Sequence, residues 1–273
     1  MNPYLPIRKV PLDYNGIGSS AFAVQMQHPT DTMPEWKEAG VVGSSYMLLP
    51  NEEVKNAAHQ VAEECKIDFV HDKTFFNGRN FVYSMKSNHV AGEVKAGDDV
   101  ALGMQFWNSY DGSKAFGFAM MLYRLICTNG MMSKDHFNTY RFKHEPKSED
   151  WSENLEQVVS NINNLVGGKD MQGRGRLDNL IANLRKLNAL NVTTEKLGYI
   201  RHNYLQEIPV SIWGQIVDRF TDPTHFGEKG TNAHTGWDLL NAGTDLLWHK
   251  ENPTITTYSQ NAAIVDGLCQ AVA

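Results

Sequence analysis

The sequence contains few cysteines. Its 273 residues include three, Cys65, Cys127 and Cys269, which lie far apart and within apolar runs. A disulfide framework would need an even and closely spaced set, and a zinc site would need paired cysteines or histidines. We therefore interpret the three as buried thiols in a reducing cytosol.

The sequence also lacks a long apolar run. No stretch approaches the about 18 apolar residues that a membrane-spanning helix requires, and the polar N-terminus does not have the pattern of a signal peptide. With 41% hydrophobic and 21% charged residues, the composition is typical of a globular protein. These features predict a cytoplasmic location and no membrane partner.

An excess of positive charge is absent as well, since the formal net charge is −6 at pH 7. The chain as a whole therefore does not have the basic character that marks many nucleic-acid-binding proteins. A nucleic-acid-binding surface would have to be a local patch of cations.

Recognisable catalytic and metal-binding motifs are missing. The sequence has no His-Glu-x-x-His, no His-x-Glu with paired cysteines, no Gly-x-Ser-x-Gly and no phosphate-binding Gly-x-x-x-x-Gly-Lys. Asp98 and Asp99 are adjacent and would point to opposite faces of a strand. We predict no metal and no cofactor. Asp222, His225, Glu228 and His234 could in principle gather a metal ion, but they lie in a connector that contains proline and glycine, where such side chains usually face water.

A hairpin pattern is present in the middle of the chain. Two strand-like runs, 100–108 and 115–127, flank Asp111-Gly112, and Asp-Gly between apolar runs is a strong signal for a tight turn. A two-residue turn would pair Trp107 with Phe116 and Phe106 with Gly117. Large residues would then lie beside small ones on both faces, which predicts the central hairpin of a sheet.

The pattern of the chain changes from strands to helices near residue 146. Residues 1–36 combine prolines with glycines and show no sustained period, which predicts an extended arm. Residues 37–145 predict a β-rich region with one helix, and residues 146–273 predict a helical region that packs on it and forms a single domain with it. The predicted fold class is α+β, with a mainly antiparallel sheet in the N-terminal half followed by a helical C-terminal half.

The individual elements follow from their periods and turn residues. Asn51 is predicted to cap a helix whose apolar stripe runs from Val54 to Cys65. The polar stretch 86–97 predicts a connector, and Ser259 predicts the cap of the last helix. The other predicted elements are strands 40–49, 67–76 and 80–86, and helices 151–166, 177–187, 194–205, 209–220, 232–249 and 259–272.

Cations alternate with aromatic residues around the hairpin and in the run that follows it. Single-strand-binding proteins use this combination, because cations follow the phosphates while aromatic faces stack on the bases. The Gly-rich connector 168–176 adds further positive charge. The candidate nucleic-acid-binding residues are Arg79, Lys86, Trp107, Tyr110, Lys114, Arg124, Lys134, Tyr140, Arg141 and Lys143.

These residues also have structural interpretations. The aromatic side chains would then belong to the core, and the run 134–144 would be an ordinary solvated edge. Arg124 lies in an apolar run, where an unpaired charge is costly. It should therefore have a carboxylate, phosphate or carbonyl partner, and a structural ion pair is one such use.

Three sequence blocks carry a family resemblance. They are Gly40-Val-Val-Gly-x-x-Tyr46-x-x-x-Pro50-Asn51-Glu-Glu, then Asn108-Ser-Tyr-Asp-Gly-Ser with Phe116-x-Phe and Arg124-Leu-Ile-Cys-Thr-Asn129-Gly, and Trp237-Asp-Leu-Leu-Asn241-Ala-x-Thr244. Together they resemble a family of phage- and plasmid-encoded proteins that is catalogued as a domain of unknown function and often labelled phage/plasmid-like protein. The resemblance implies a bacteriophage or plasmid context and no assigned reaction.

The leading hypothesis is an accessory protein of phage or plasmid DNA metabolism in the cytoplasm of a bacterial host. It would bind single-stranded DNA, as a homo-oligomer, in strand annealing or recombination. One alternative is an interaction or structural protein of a mobile element, in which the Leu-rich stripes of residues 148–190 bury against another subunit. The other alternative is an enzyme of unrecognised type.

Overall fold

The chain divides into two compact units, each assembled from three separate stretches. Unit 1 comprises Met1–Lys86, Met104–Ala119 and Thr139–Ile162, and unit 2 comprises Ser87–Gly103, Met120–Asn138 and Asn163–Ala273. The computed structural model describes residues 1–14, 17–30, 33–125, 129–133, 139–144, 151–167, 175–222, 234–250 and 255–273.

The described residues confirm the α+β class, with antiparallel strands first and helices after them. The strands are β1 (Ile7–Tyr14), β2 (Ile17–His28), β3 (Glu35–Gly43), β4 (Phe69–Phe76), β5 (Asn80–Lys95), β6 (Asp98–Ser109), β7 (Phe116–Arg124), β8 (Asn129–Met132) and β9 (Thr139–Phe142). The helices are α1 (Asn51–Cys65), α2 (Trp151–Gly167), α3 (Arg176–Ala189), α4 (Thr194–Tyr204), α5 (Val210–Thr221), α6 (Gly236–Trp248) and α7 (Ile255–Gln270).

The strands form two sheets. The first has the order β1-β2-β3, and the second has the order β4-β5-β6-β7-β8, with β9 also paired to β7. Strands β1 and β2 replace the extended arm predicted for residues 1–36, and they pair antiparallel. Pro11 is compatible with this pairing because it lies on an edge strand, beside an irregularity of the register, where a missing N–H is tolerated.

Helix α1 confirms the predicted apolar stripe but not the predicted cap. The thiol of Cys65 is buried, and burial raises its pKa to about 11. Pro50 occupies the cap position, and Asn51 lies in the first turn with its side chain buried. Asn51 Nδ2 donates to Pro3 O at 3.0 Å, and Asn51 Oδ1 accepts from Asn108 Nδ2 at 2.9 Å. The stripe residues are all buried: Val54, Ala57, Ala58, Val61, Ala62 and Cys65.

Strand β5 is longer than predicted. The polar stretch 86–97, predicted to be a connector, belongs to β5 as far as Lys95. Within unit 2, Gly92 of this strand packs closely against Ile181 of α3. Tertiary packing therefore supports a strand that local composition does not indicate.

The central hairpin is present, but its turn is wider than predicted. Strand β6 ends at Ser109 and β7 begins at Phe116, so residues 110–115 form the loop. Gly112 adopts φ +70°, as the Asp-Gly signal requires. The Asp111 carboxylate accepts a hydrogen bond from Ser113 N at 3.0 Å, which closes a local turn inside the loop.

The wider loop changes which side chains meet across the hairpin. Phe106 packs against Phe118, with ring centroids 4.9 Å apart, and the Trp107 indole lies against Gly117. The predicted pairing of Phe106 with Gly117 is therefore wrong by one residue. A shift of one residue moves each side chain to the opposite face of the sheet.

Gly103 on β6 offers a direct test of this packing within unit 2. A Cβ at Gly103 would overlap the ring of Tyr123, which is fully buried. We expect Gly103→Ala to destabilise the protein by about 1–3 kcal/mol in urea unfolding, because the ring has no space to move into. The control is Gly198→Ala on α4, where nothing lies within 4 Å, and this change should stabilise by about 0.5–1 kcal/mol. Unchanged stability of Gly103→Ala would contradict this arrangement of β6 and β7.

Helix α6 organises the helices of unit 2. Helices α3, α5 and α7 pack on it, and α6 and α7 both contact β8. Its first turn has a capping box, in which Thr235 and Asp238 each accept a hydrogen bond from the other's backbone N–H. Helix α7 begins at Ile255, so Ser259 lies inside it and the prediction of Ser259 as its cap is wrong.

The Leu-rich stripe of α3 is buried within unit 2. Because α3 packs on α6 and α7 of the same chain, this stripe does not face a second subunit as the interaction hypothesis supposes. None of its four residues has more than 3% of its surface exposed: Leu180, Ile181, Leu184 and Leu187. Among the described helices, none has the length and apolar character to cross a membrane.

Candidate nucleic-acid interface

Two loops of unit 1 are joined by hydrogen bonds next to the ends of β5 and β6. The backbone N–H of Tyr110 donates to Arg79 O at 2.8 Å. The hydroxyl of Ser113 lies 3.2 Å from Asn80 Oδ1 and donates to it. These bonds place the turn that carries Arg79 beside the loop that carries Lys114.

Strand β9 brings a third basic segment to the same end of unit 1. Phe142 pairs with Phe116, the first residue of β7, so Lys143 follows β9 close to the β6–β7 loop. Arg79, Lys114 and Lys143 thus come from three separate segments. Arg79 and Lys143 are exposed, and Lys114 is half-buried.

Arg141 and Trp107 lie on one face of the strands that lead to this end. Arg141 pairs directly with Gly117 across β9 and β7, and directly paired residues project their side chains to the same face. The Trp107 indole, which comes from β6, lies against the position that a Cβ of Gly117 would occupy and is therefore on the same face. A half-buried indole and an exposed guanidinium therefore flank a residue without a side chain. We call Arg79, Trp107, Lys114, Arg141 and Lys143 the basic end.

Lys114 is held in an environment that favours an anionic partner. Ser109 Oγ accepts from Lys114 N at 3.1 Å and donates to Lys114 O at 2.9 Å, which fixes the backbone. Burial lowers the pKa of the Lys114 ammonium, and the carboxylate of Asp111 partly opposes this effect. A phosphate beside Lys114 would oppose it further, because a nearby negative charge favours the charged form of lysine.

The sequence matches the model of one known family. The model of the family described as Domain of unknown function (DUF932) matches residues 38–266. The chain belongs to this family. The span matched by DUF932 contains the whole basic end, whereas β1 and β2 precede it. No curated protein and no solved structure matches the chain.

Three of the predicted residues have structural contacts of their own within this DUF932 region. Tyr110 is 1% exposed, and its hydroxyl accepts from Asn51 N at 3.0 Å, so it belongs to the core of unit 1. Lys86 is half-buried and forms an ion pair with Asp72 at 3.5 Å. Tyr140 stacks on Phe118, with ring centroids 6.1 Å apart, on the face of β9 opposite to Arg141.

Arg124 is a structural residue of unit 2. It is 3% exposed, and its guanidinium binds both oxygens of Asp98, with Nε 2.7 Å from Oδ1 and Nη2 2.6 Å from Oδ2. The indole N–H of Trp237 donates to Asp98 Oδ2 at 2.8 Å. Arg124 therefore has the carboxylate partner that its apolar surroundings predict, and it is not available to a nucleic acid.

Other predicted features lie partly outside the described residues. Lys134 lies there, as do most of the basic connector 168–176 and the residues His225 and Glu228. Asp222 is exposed, and the ring of His234 lies against Phe220 with centroids 4.7 Å apart. Across the described part of the chain, no group of three or more His, Cys, Asp or Glu side chains could hold a metal ion.

Sequence reasoning did not identify the contact between Tyr46 and His144. Their rings stack in unit 1 with centroids 4.4 Å apart and an interplanar angle of 18°. His144 directly follows Lys143, and Tyr46 belongs to the first family-like block. Nothing in the sequence connects two residues so far apart, so this contact could only be found in the structure.

Proposed function

We propose that this protein binds single-stranded DNA through the basic end, as an accessory protein of phage or plasmid DNA metabolism. We propose that it acts as a homo-oligomer in strand annealing or recombination, in the cytoplasm of a bacterial host. The mobile-element context is supported by the resemblance of the sequence blocks to phage/plasmid-like proteins. The binding role is supported by the geometry of unit 1.

The observation that carries the proposal is the convergence of cations from separate segments around one aromatic side chain. Arg79, Lys114 and Lys143 come from three segments, and Arg141 lies on the same face as Trp107. Cations at intervals suit the repeating phosphates of a strand, and a partly exposed indole suits stacking on a base of any identity. Sequence-independent binding is the mode that this surface favours.

We expect Arg141→Ala with Lys143→Ala to weaken binding of a fluorescein-labelled oligothymidylate. Both side chains are exposed, so their removal should not disturb the core. Losing two phosphate contacts should reduce the slope of log K against log salt by about 1.4, since each contact to a single strand contributes about 0.7. Fluorescence anisotropy across about 50–200 mM salt measures both affinity and slope.

The matched control removes two positive charges elsewhere. Lys186→Ala with Lys196→Ala changes two exposed lysines, one on α3 and one on α4, and should leave the salt slope within experimental error of the parent slope. Equal losses in the two double variants would mean that overall charge, and not the basic end, governs binding. No binding by the unmodified protein at low salt would refute the proposal. Light scattering on the same samples tests the proposed oligomer.

A further inference from the structure

His144 fastens the segment that follows β9 to the segment that follows β3, within unit 1. Its backbone oxygen accepts from Met47 N at 2.9 Å, and its Nδ1 lies 3.0 Å from Met47 O. Its ring stacks on Tyr46, whose hydroxyl donates to Ser109 O at 2.5 Å. His144 and Tyr46 thus link the end of β9 to the start of the β6–β7 loop.

The hydrogen bond to Met47 O determines which tautomer the neutral His144 ring adopts. Met47 O can only accept, so Nδ1 of His144 carries the proton, and Nε2 of the neutral ring is an acceptor. Nε2 is buried and has no hydrogen-bond partner, while the residue as a whole is 8% exposed. Adding a proton would place a charged N–H in a buried position without an acceptor, which is strongly unfavourable.

The neighbouring charges do not relieve this cost. Lys9 Nζ donates to Tyr46 O at 2.8 Å, and Lys143 is the adjacent residue in the chain. Both are cations, so they disfavour a third positive charge. Asp111 is the acidic group that acts on Tyr46, and burial together with this carboxylate raises the pKa of Tyr46 to about 12. Tyr46 therefore stays neutral and supplies no counter-charge to His144.

We propose that His144 is a positioning residue for the basic end, and that its protonation releases the segment carrying Lys143 and so weakens binding of single-stranded DNA. This inference rests on the proposed function. Lys143 directly precedes His144, and Arg141 lies three residues before it. Freeing His144 would release the end of this segment, which carries Lys143, from its place beside the β6–β7 loop, while β9 itself stays paired to β7.

The direction of the pH effect follows from linkage. Burial lowers the pKa of His144, although the bond to Met47 O partly opposes this. The released state has the ordinary pKa of about 6.5 and takes up the proton first as pH falls. The fastened state is therefore fully favoured above about pH 6.5. Below this pH, the equilibrium constant between the fastened and the released state shifts towards release by up to about tenfold per pH unit.

The test compares the unmodified protein with His144→Asn, since an asparagine Nδ2 can donate to Met47 O and does not titrate. Binding of labelled oligothymidylate is measured at about pH 5.5 and about pH 7.5, the range in which histidines titrate. The unmodified protein should bind up to about tenfold less tightly at the lower pH, beyond any change in His144→Asn. The inference would be overturned if both proteins showed the same pH dependence. It would also be overturned if the unmodified protein bound DNA more tightly at the lower pH than at the higher pH while His144→Asn did not.

A second measurement separates this inference from the proposed function. Two-dimensional NMR of the unmodified protein follows the His144 ring directly, and it needs neither DNA nor a stable variant. An Nδ1–H tautomer that titrates below the ordinary histidine range would support the fastening role even if no DNA binds at any pH. A ring that titrates normally, with unchanged Lys143 resonances, would overturn it even if DNA binds tightly.

Discussion

Asp98→Ala is expected to destabilise the protein by about 3–5 kcal/mol, because it leaves the buried guanidinium of Arg124 without its carboxylate. Both partners are almost fully buried, with 4% and 1% of their side-chain surfaces exposed. The substitution also removes the acceptor of the Trp237 indole N–H. One carboxylate therefore satisfies three buried donor groups, and its loss affects all of them.

Urea unfolding of unmodified protein and variant measures this effect. The control is Asp245→Ala, which breaks the partly exposed ion pair with Arg219 and should cost at most about 1 kcal/mol. Replacing both Asp98 and Arg124 by leucine and methionine should cost less than Asp98→Ala alone, since no unpaired charge remains. A loss in Asp98→Ala as small as that in Asp245→Ala would mean that the pair is hydrated and not part of the core.

The need for such a partner could be predicted from sequence, but the partner could not. Arg124 follows an apolar run, and the cost of an unpaired charge there is independent of the fold. Asp98 is 26 residues away and Trp237 lies on a distant helix. Two adjacent aspartates begin β6, and only the register of the hairpin determines which of them meets Arg124.

The helices that were predicted from the sequence are those whose apolar residues recur at regular helical spacing. The stripe of α1 and the helices of the C-terminal half follow from local spacing, which tertiary contacts reinforce. The register of β6 and β7 depends on loop width, and Asp-Gly favours a tight turn without enforcing one. Strands β1 and β2 were missed because prolines dominate the local signal, although an edge strand tolerates them.

Some features of the candidate site could be predicted from the sequence, and others could not. Alternating cations and aromatic residues predicted a nucleic-acid-binding surface, and three of the predicted cations, Arg79, Arg141 and Lys143, are exposed. The same pattern could not distinguish Trp107, which is half-buried, from Tyr110, which is 1% exposed. Burial of an aromatic side chain depends on which element covers it, and here the start of α1 covers Tyr110 through the bond to Asn51.

Leu184→Asp is expected to unfold unit 2, and it would not merely separate subunits. Leu184 is 1% exposed on the face of α3 that packs within the chain. Truncating a buried leucine costs about 2–5 kcal/mol, and a buried carboxylate adds to this cost because it has no partner there. The expected loss is a large part of the about 5–15 kcal/mol that stabilises a typical domain.

Circular dichroism in urea and light scattering on the same samples distinguish the two mechanisms. Ala182→Asp is the matched control, since Ala182 is exposed on the same helix and the change should cost well under about 1 kcal/mol. If α3 packs only within the chain, Leu184→Asp loses helical signal at lower urea, whatever the mass of the unmodified protein. If Leu184→Asp instead keeps its unfolding midpoint while a larger assembly falls to monomer mass, then the stripe binds another subunit and the packing of α3 on α6 and α7 is wrong.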